Sequence, residues 1–277
     1  MGNNKRYGLF KLFLIFTMLN VFGIFLYENI SENGLFVKKP EFYVASIKSE
    51  KKESVAGKTD KVTEKSKNDV VDKGDFNRLD KKSLLLVGDS NVYLMSGNKK
   101  NYESRYGNNI YWLAESGASA DFISKDFMVK LGRFKAEFVE NSLNKTKEVN
   151  LLKEIKEKNI TDVVVMLGVN SLGETFAEKL GNKLIKFSEI SGAKVYYVSV
   201  LPYVDKSKYN IAAGDVIRFN AEMKEMLLKN KVGYIDAYDM IVRLKGYKNE
   251  TTDGLHYNEK IYNKVFEEII EYIMQNS

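Results

Sequence analysis

The sequence predicts an α/β fold in three layers, with a parallel five-stranded sheet between two layers of helices. Three observations carry this. Short apolar runs of strand length recur through residues 83–277, segments of helical periodicity separate them, and the residues suited to chemistry stand just after the runs.

The first run is Ser83–Val87, and Gly88-Asp89-Ser90 follows it. Later runs lie at Ile110–Leu113, Val163–Leu167, Val195–Val200 and Val232–Ile235. Their near-continuous apolar character is that of strands covered on both faces, as parallel strands are. Helical spacing appears at Phe176–Ile190, Val216–Lys229 and Ile261–Met274; in the last, Val265, Ile269, Ile270 and Ile273 fall on one stripe. The stretch Asp121–Asn159 is longer than one connection requires and predicts an extra helix or an elaborated loop.

The N-terminal part differs. Gly8–Tyr27 is an apolar segment with a single charge, Lys11, and its 20 residues match the roughly 20 that a spanning helix needs. Lys5, Arg6 and Lys11 precede Glu28 and Glu32, which orients the N-terminus to the cytoplasm and the rest outside. We therefore expect a signal-anchor transmembrane helix in 1–30, a charged flexible tether in 31–82 and a catalytic domain in 83–277. The tether is rich in Lys, Glu and Ser and too poor in large apolar residues to offset its ordering entropy. A cleaved signal peptide is the alternative, giving a secreted domain; no small-x-small site directly follows the segment.

Composition narrows the chemistry. The chain has 277 residues and no cysteine, so thiolate nucleophiles and zinc-thiolate sites are excluded. Its one histidine, His256, is the sole imidazole for any reaction and is too little for a histidine-rich metal site. No phosphate-binding Gly-x-x-x-x-Gly-Lys-Ser/Thr loop is present, and no cofactor or metal is expected. The net charge of +6 is concentrated at the front: residues 1–82 hold 16 Lys+Arg against 11 Asp+Glu, and residues 83–277 hold 27 against 26. The near-neutral domain gives no electrostatic footprint for nucleic acid.

In a parallel sheet with helices on both faces, ligands gather at the carboxyl ends of the strands. Gly88-Asp89-Ser90, Ser116-Gly117-Ala118-Ser119 and Gly168-Val169-Asn170 follow three of the runs, and Asp253-Gly254-Leu255-His256 precedes the closing helix. These are the groups that acyl transfer needs. A serine hydroxyl attacks once a base takes its proton, and His256 is available. Asp253, three residues earlier, can hold the ring in the required tautomer. Oxyanion donors are expected from loop amides, Gly117 allowing close backbone approach, and from the Asn170 side chain. Asp89 reads as a cap for the following helix. Tyr102, Tyr106, Tyr111 and Trp112 read as core, with a sugar-binding cleft as the alternative.

In order and spacing, these four blocks resemble those of the SGNH (GDSL-like) hydrolases over residues 83–277. The resemblance implies a flavodoxin-like strand order, Ser90 as nucleophile, Asp253 and His256 as its triad partners, and Ser90, Gly117 and Asn170 as the oxyanion hole. Three positions depart from the family's frequent choices: Asn91 replaces a leucine, the glycine block reads Gly-Ala-Ser-Ala, and Ser171 follows Asn170 in place of an aspartate.

The expected function is that of an extracytoplasmic serine esterase removing O-acetyl or other short acyl groups from cell-wall or secreted polysaccharide. Alternatives are a polysaccharide O-acetyltransferase using the same triad, a lipase or lysophospholipase, and a non-enzymatic glycan-binding or scaffold module. Expected partners are the acylated carbohydrate or other ester substrate, the membrane through the N-terminal helix, and a membrane-bound acyl-donor protein in the transferase case.

Overall fold

The computed structural model describes residue 79 and residues 82–277, except 135–137, 205–208 and 210. The expected anchor at 1–30 lies outside the described residues, as does the expected tether except for residues 79 and 82. Among the described residues no helix is long and apolar enough to cross a membrane.

The central sheet has six strands: β1 (Leu84–Gly88), β2 (Ile110–Glu115), β4 (Val139–Asn141), β6 (Asp162–Met166), β7 (Lys194–Val198) and β8 (Gly233–Ile235), in the order β4-β2-β1-β6-β7-β8. The five from β2 to β8 are parallel and take the expected flavodoxin-like order. The expectation of five strands is corrected by β4, which pairs antiparallel with β2 at the sheet edge. Its Val-Glu-Asn sequence carries one apolar residue and no strand signal. It is held beyond the ladder by Ser142, whose Oγ accepts from Trp112 N at 2.8 Å and whose N–H donates to Trp112 O at 2.9 Å.

The Asp121–Asn159 stretch also contributes a two-stranded antiparallel sheet of β3 (Met128–Lys130) and β5 (Glu148–Asn150), followed by helix α3 (Leu151–Glu157). The expected extra helix is therefore present, accompanied by strands too short for periodicity to reveal.

Alternate residues along the parallel strands feed two separate cores, the consequence of a two-residue side-chain period. Leu85, Val87, Val163, Val165 and Tyr197 face helices α4 (Glu174–Ser191) and α5 (Ala213–Lys229), meeting Leu180, Leu184, Phe187, Phe219 and Met223. Leu84, Leu86, Trp112, Val164 and Val198 face the other layer: α1 (Ser90–Ser96), α2 (Lys99–Tyr106), α6 (Ala237–Arg243) and α7 (Glu259–Gln275). Helix α7 buries Ile261, Tyr262, Val265, Phe266, Ile269, Ile270 and Ile273, the stripe that its sequence spacing predicts.

Trp112 and Tyr102 are buried and stack with Phe266, and Tyr106 is buried beside the same ring. These aromatic residues belong to the core, not to a sugar cleft. Tyr111 is half-buried and packs against the opposite core.

Candidate active site

Strand register gathers the blocks. Gly88 pairs with Ala114 of β2 on one side and Met166 of β6 on the other. The turns that follow these positions carry Ser90, Gly117 and Asn170, so all three emerge at one edge of the sheet. Gly88 itself must be small, because a Cβ there would lie 2.5 Å from Met166 O and 2.2 Å from a Val92 methyl.

Ser90 is buried as the first residue of α1. At that position its N–H has no intrahelical acceptor. Asp89 is the N-cap: its Oδ1 accepts from Asn91 N at 2.9 Å and Asn91 Nδ2 at 3.2 Å, matching the expected capping role. Burial pushes the Asp89 carboxyl up to about 6, against the partial opposition of the Asn91 hydrogen bonds and the nearby His256. Asn91 Oδ1 in turn accepts from Tyr262 of α7 at 3.0 Å. The departure at Asn91 thus ties the serine turn to the helix that follows His256.

Asp253 and His256 stand on a loop closed by an antiparallel bridge between Thr251 and Tyr257 and stopped by Asn258, the N-cap of α7. His256 Nε2 lies 2.8 Å from Ser90 Oγ, and its Nδ1 lies 2.6 Å from Asp253 Oδ2. An ionised carboxylate only accepts, so in the neutral ring Nδ1 carries the hydrogen and Nε2 presents its lone pair to the serine hydroxyl. Asp253 Oδ1 accepts from the backbone N–H of His256 at 2.7 Å and of Leu255 at 2.9 Å. Burial alone would raise the Asp253 carboxyl. The hydrogen bonds from the His256 ring and from the His256 and Leu255 amides outweigh it and hold the group well below the ordinary carboxylate range.

Sequence reasoning missed three further contributors. Tyr209 donates its hydroxyl hydrogen to Asp253 Oδ2 at 3.2 Å, and burial, with the Asp253 charge beside it, pushes this phenol above its ordinary range. Thr251 Oγ accepts from Gly254 N at 2.9 Å and so shapes the loop. Lys183 of α4 is largely buried and donates through Nζ to Ala120 O at 2.9 Å and to Ile123 O, clamping the loop that begins at Gly117.

Asn170 donates from Nδ2 to Ala118 O at 2.9 Å, which fixes its amide plane and leaves its second hydrogen for another acceptor. Ser171 Oγ accepts from Ala120 N at 3.1 Å, so the residue in the frequent aspartate position braces the same loop. Gly117 is needed for a reason other than close approach. Its φ is +79°, a left-handed conformation, while an added Cβ would meet only ordinary contact with Phe134 Cβ at 3.9 Å. Among the described residues no group of three or more His, Cys, Asp or Glu is placed to hold a metal ion.

No protein-family model matches the chain, and no curated protein matches its sequence. Solved structures do. A GDSL-like lipase from Bacteroides thetaiotaomicron matches with a TM-score of 0.51 at 15% identity, over 70% of this chain and 88% of that one. A candidate SGNH hydrolase from Slackia heliotrinireducens matches with a TM-score of 0.51 at 13% identity, over 69% and 98%. A lipase/acylhydrolase from Enterococcus faecalis matches with a TM-score of 0.50 at 17% identity, over 70% and 96%. At such identities the likeness is one of architecture, and the architecture of the described domain is the SGNH (GDSL-like) hydrolase fold.

Proposed function

We propose that this chain is a serine hydrolase of ester bonds, removing O-acetyl or other short acyl groups from cell-wall or secreted polysaccharide. The observation that carries the reading is the continuous line of hydrogen bonds from Asp253 through His256 to Ser90. Ser90 Oγ attacks the ester carbonyl carbon while its proton passes to His256 Nε2. Asp253, kept ionised by its hydrogen bonds, stabilises the imidazolium. The Ser90 and Gly117 amides and the Asn170 side chain receive the oxyanion. His256 then returns the proton to the departing alcohol oxygen, leaving Ser90 acylated. Water, deprotonated by His256, attacks that acyl group, and the free serine and a carboxylic acid result.

The apolar segment at 8–27 and the charged stretch after it support a membrane-tethered domain outside the cytoplasm, where acylated glycans are the accessible esters. A fluorophosphonate probe tests the chemistry. It should label the full-length chain at Ser90 and leave Ser90→Ala unlabelled. An unlabelled wild-type chain that also releases no acetate from acetylated glycan removes the reading.

A further inference from the structure

The carboxyl edge of the sheet holds a groove of whose lining the mechanism uses Asn170 alone. It opens beside Asn170, between the turn after β6 and the first turns of α5, with a volume of about 440 Å³. Small-ligand sites span roughly 300–1,000 Å³, so this is room enough for a sugar residue. Its lining is chemically divided. Val169, Leu172 and Ile211 are apolar, while Asn170, Asp215 and Arg218 are polar. Asp215 Oδ1 accepts from Arg218 Nη2 at 2.7 Å, and both side chains keep part of their surface exposed.

We infer that this groove binds a sugar residue of the ester substrate, with Asp215 and Arg218 reading its hydroxyl groups; the inference rests on the esterase reading of Ser90. Position is the first argument. Strand β6 lies directly beside β1, the turns that follow these two strands carry Asn170 and Ser90, and Asn170 also lines the groove. A molecule seated there lies next to the reacting ester, on the side away from Gly117, because the sheet runs β2-β1-β6-β7.

Chemistry is the second. A sugar ring presents C–H faces and a rim of hydroxyls that both donate and accept. Val169, Leu172 and Ile211 suit the faces, Asp215 offers acceptors, and Arg218 offers several donors in a fixed fork. A hydrocarbon chain laid in the same place would strip water from the Asp215–Arg218 pair and return no hydrogen bonds, which disfavours a lipid occupant. Charge is the third argument. The Arg218 cation is matched by Asp215, so the groove is not an anion trap and suits an uncharged polyol better than a phosphate or carboxylate.

A cavity of about 570 Å³ lies at the opposite end of the strands, where β7 and β8 begin, and includes Lys231. It shares no residue with the site and provides a control.

The test measures three substrates with the full-length chain: a mono-O-acetylated chito-oligosaccharide, 4-nitrophenyl acetate and 4-nitrophenyl octanoate. Arg218→Met and Asp215→Asn should lower the ratio of kcat/KM on the oligosaccharide to that on 4-nitrophenyl acetate by about tenfold or more, mainly through KM, as loss of ground-state binding does. Lys231→Met should leave the ratio at the wild-type value. A ratio that moves less than about threefold in both groove variants overturns the assignment, as does a wild-type preference for octanoate over acetate. If the wild-type chain neither labels with the probe nor releases acetate from the oligosaccharide, the esterase reading fails, and the groove is judged by titrating Ser90→Ala with the deacetylated oligosaccharide. Binding that Arg218→Met weakens supports the groove; no binding overturns it.

Discussion

Tyr209 donates a hydrogen bond to Asp253 Oδ2, the same oxygen that faces Nδ1 of His256. The phenol therefore steadies the carboxylate that orients the imidazole, and it does so from a segment with no motif of its own.

Tyr209→Phe should cost about 1.5–3 kcal/mol of unfolding free energy, typical for a hydrogen bond to a charged group. Asp253 has a depressed carboxyl, so its contribution to stability is present above the unfolded carboxylate value and is lost as pH falls through the folded one. Removing a donor raises the folded value, and acid unfolding of the variant should begin at higher pH than in the wild type. Denaturant titrations from pH 2 to 7 check this; superimposable curves would mean the bond contributes nothing.

Ser90→Ala should abolish probe labelling and reduce kcat on the order of 10⁴–10⁶-fold, as removal of a serine nucleophile does elsewhere. Asp253→Asn should label only slowly and lose about 10⁴-fold in kcat, because an amide facing Nδ1 favours the wrong ring tautomer. Stopped assays with 4-nitrophenyl acetate give both values, and circular dichroism establishes that the variants are folded.

Asp89 leads to an expectation of opposite sign. Its folded carboxyl is pushed up to about 6 from an ordinary 3.8, and the side chain is buried. Between those two values the folded protein holds a proton that the unfolded chain has released, so stability falls as pH rises through this window. Above it the ionised form carries a penalty of about 3 kcal/mol, from 1.36 kcal/mol per unit. Asp89→Asn keeps an acceptor for the Asn91 amide and removes the penalty. It should be more stable than wild type at pH 7–8, by up to about 3 kcal/mol, with a flatter pH dependence between 4 and 6. Thermal melts across pH 4–8 decide it.

Lys183→Met leaves the carbonyls of Ala120 and Ile123 without their cation. We expect a loss of about 2–6 kcal/mol, from one to three for each of the two carbonyls stranded. The loop that starts at Gly117 should then loosen, so kcat on 4-nitrophenyl acetate should fall more than KM rises, with partial recovery in Lys183→Arg. Equal kcat in the folded variant would reduce Lys183 to a structural role.

The sequence exposes what repeats or is unique. Leu84–Val87 shows itself as a strand because both faces are buried and every residue is apolar. His256 stands out because no other imidazole competes with it, and Asp253 then follows from its spacing. Strand β4 leaves no such trace: Val139 is its one apolar residue and is exposed, and pairing comes from Ser142 and β2. Tyr209 is one of 17 tyrosines, and only the approach of two distant loops distinguishes it. Lys183 could have been found. It lies three residues after Leu180 and one before Leu184, within the buried stripe of its helix, where a solvated lysine does not belong.

The order in which the chain is built gives the Thr251–Tyr257 loop a further meaning. The hydroxyl at position 90 is made well before the imidazole at 256, and the loop that bears the imidazole is tied to the helix that follows. A nascent, stalled or clipped polypeptide that stops short of residue 256 has its serine and no partner to rouse it. Hydrolytic power would thus arrive in one step once residue 256 is in place, so that copies stopping short of it stay inert toward the cell that makes them.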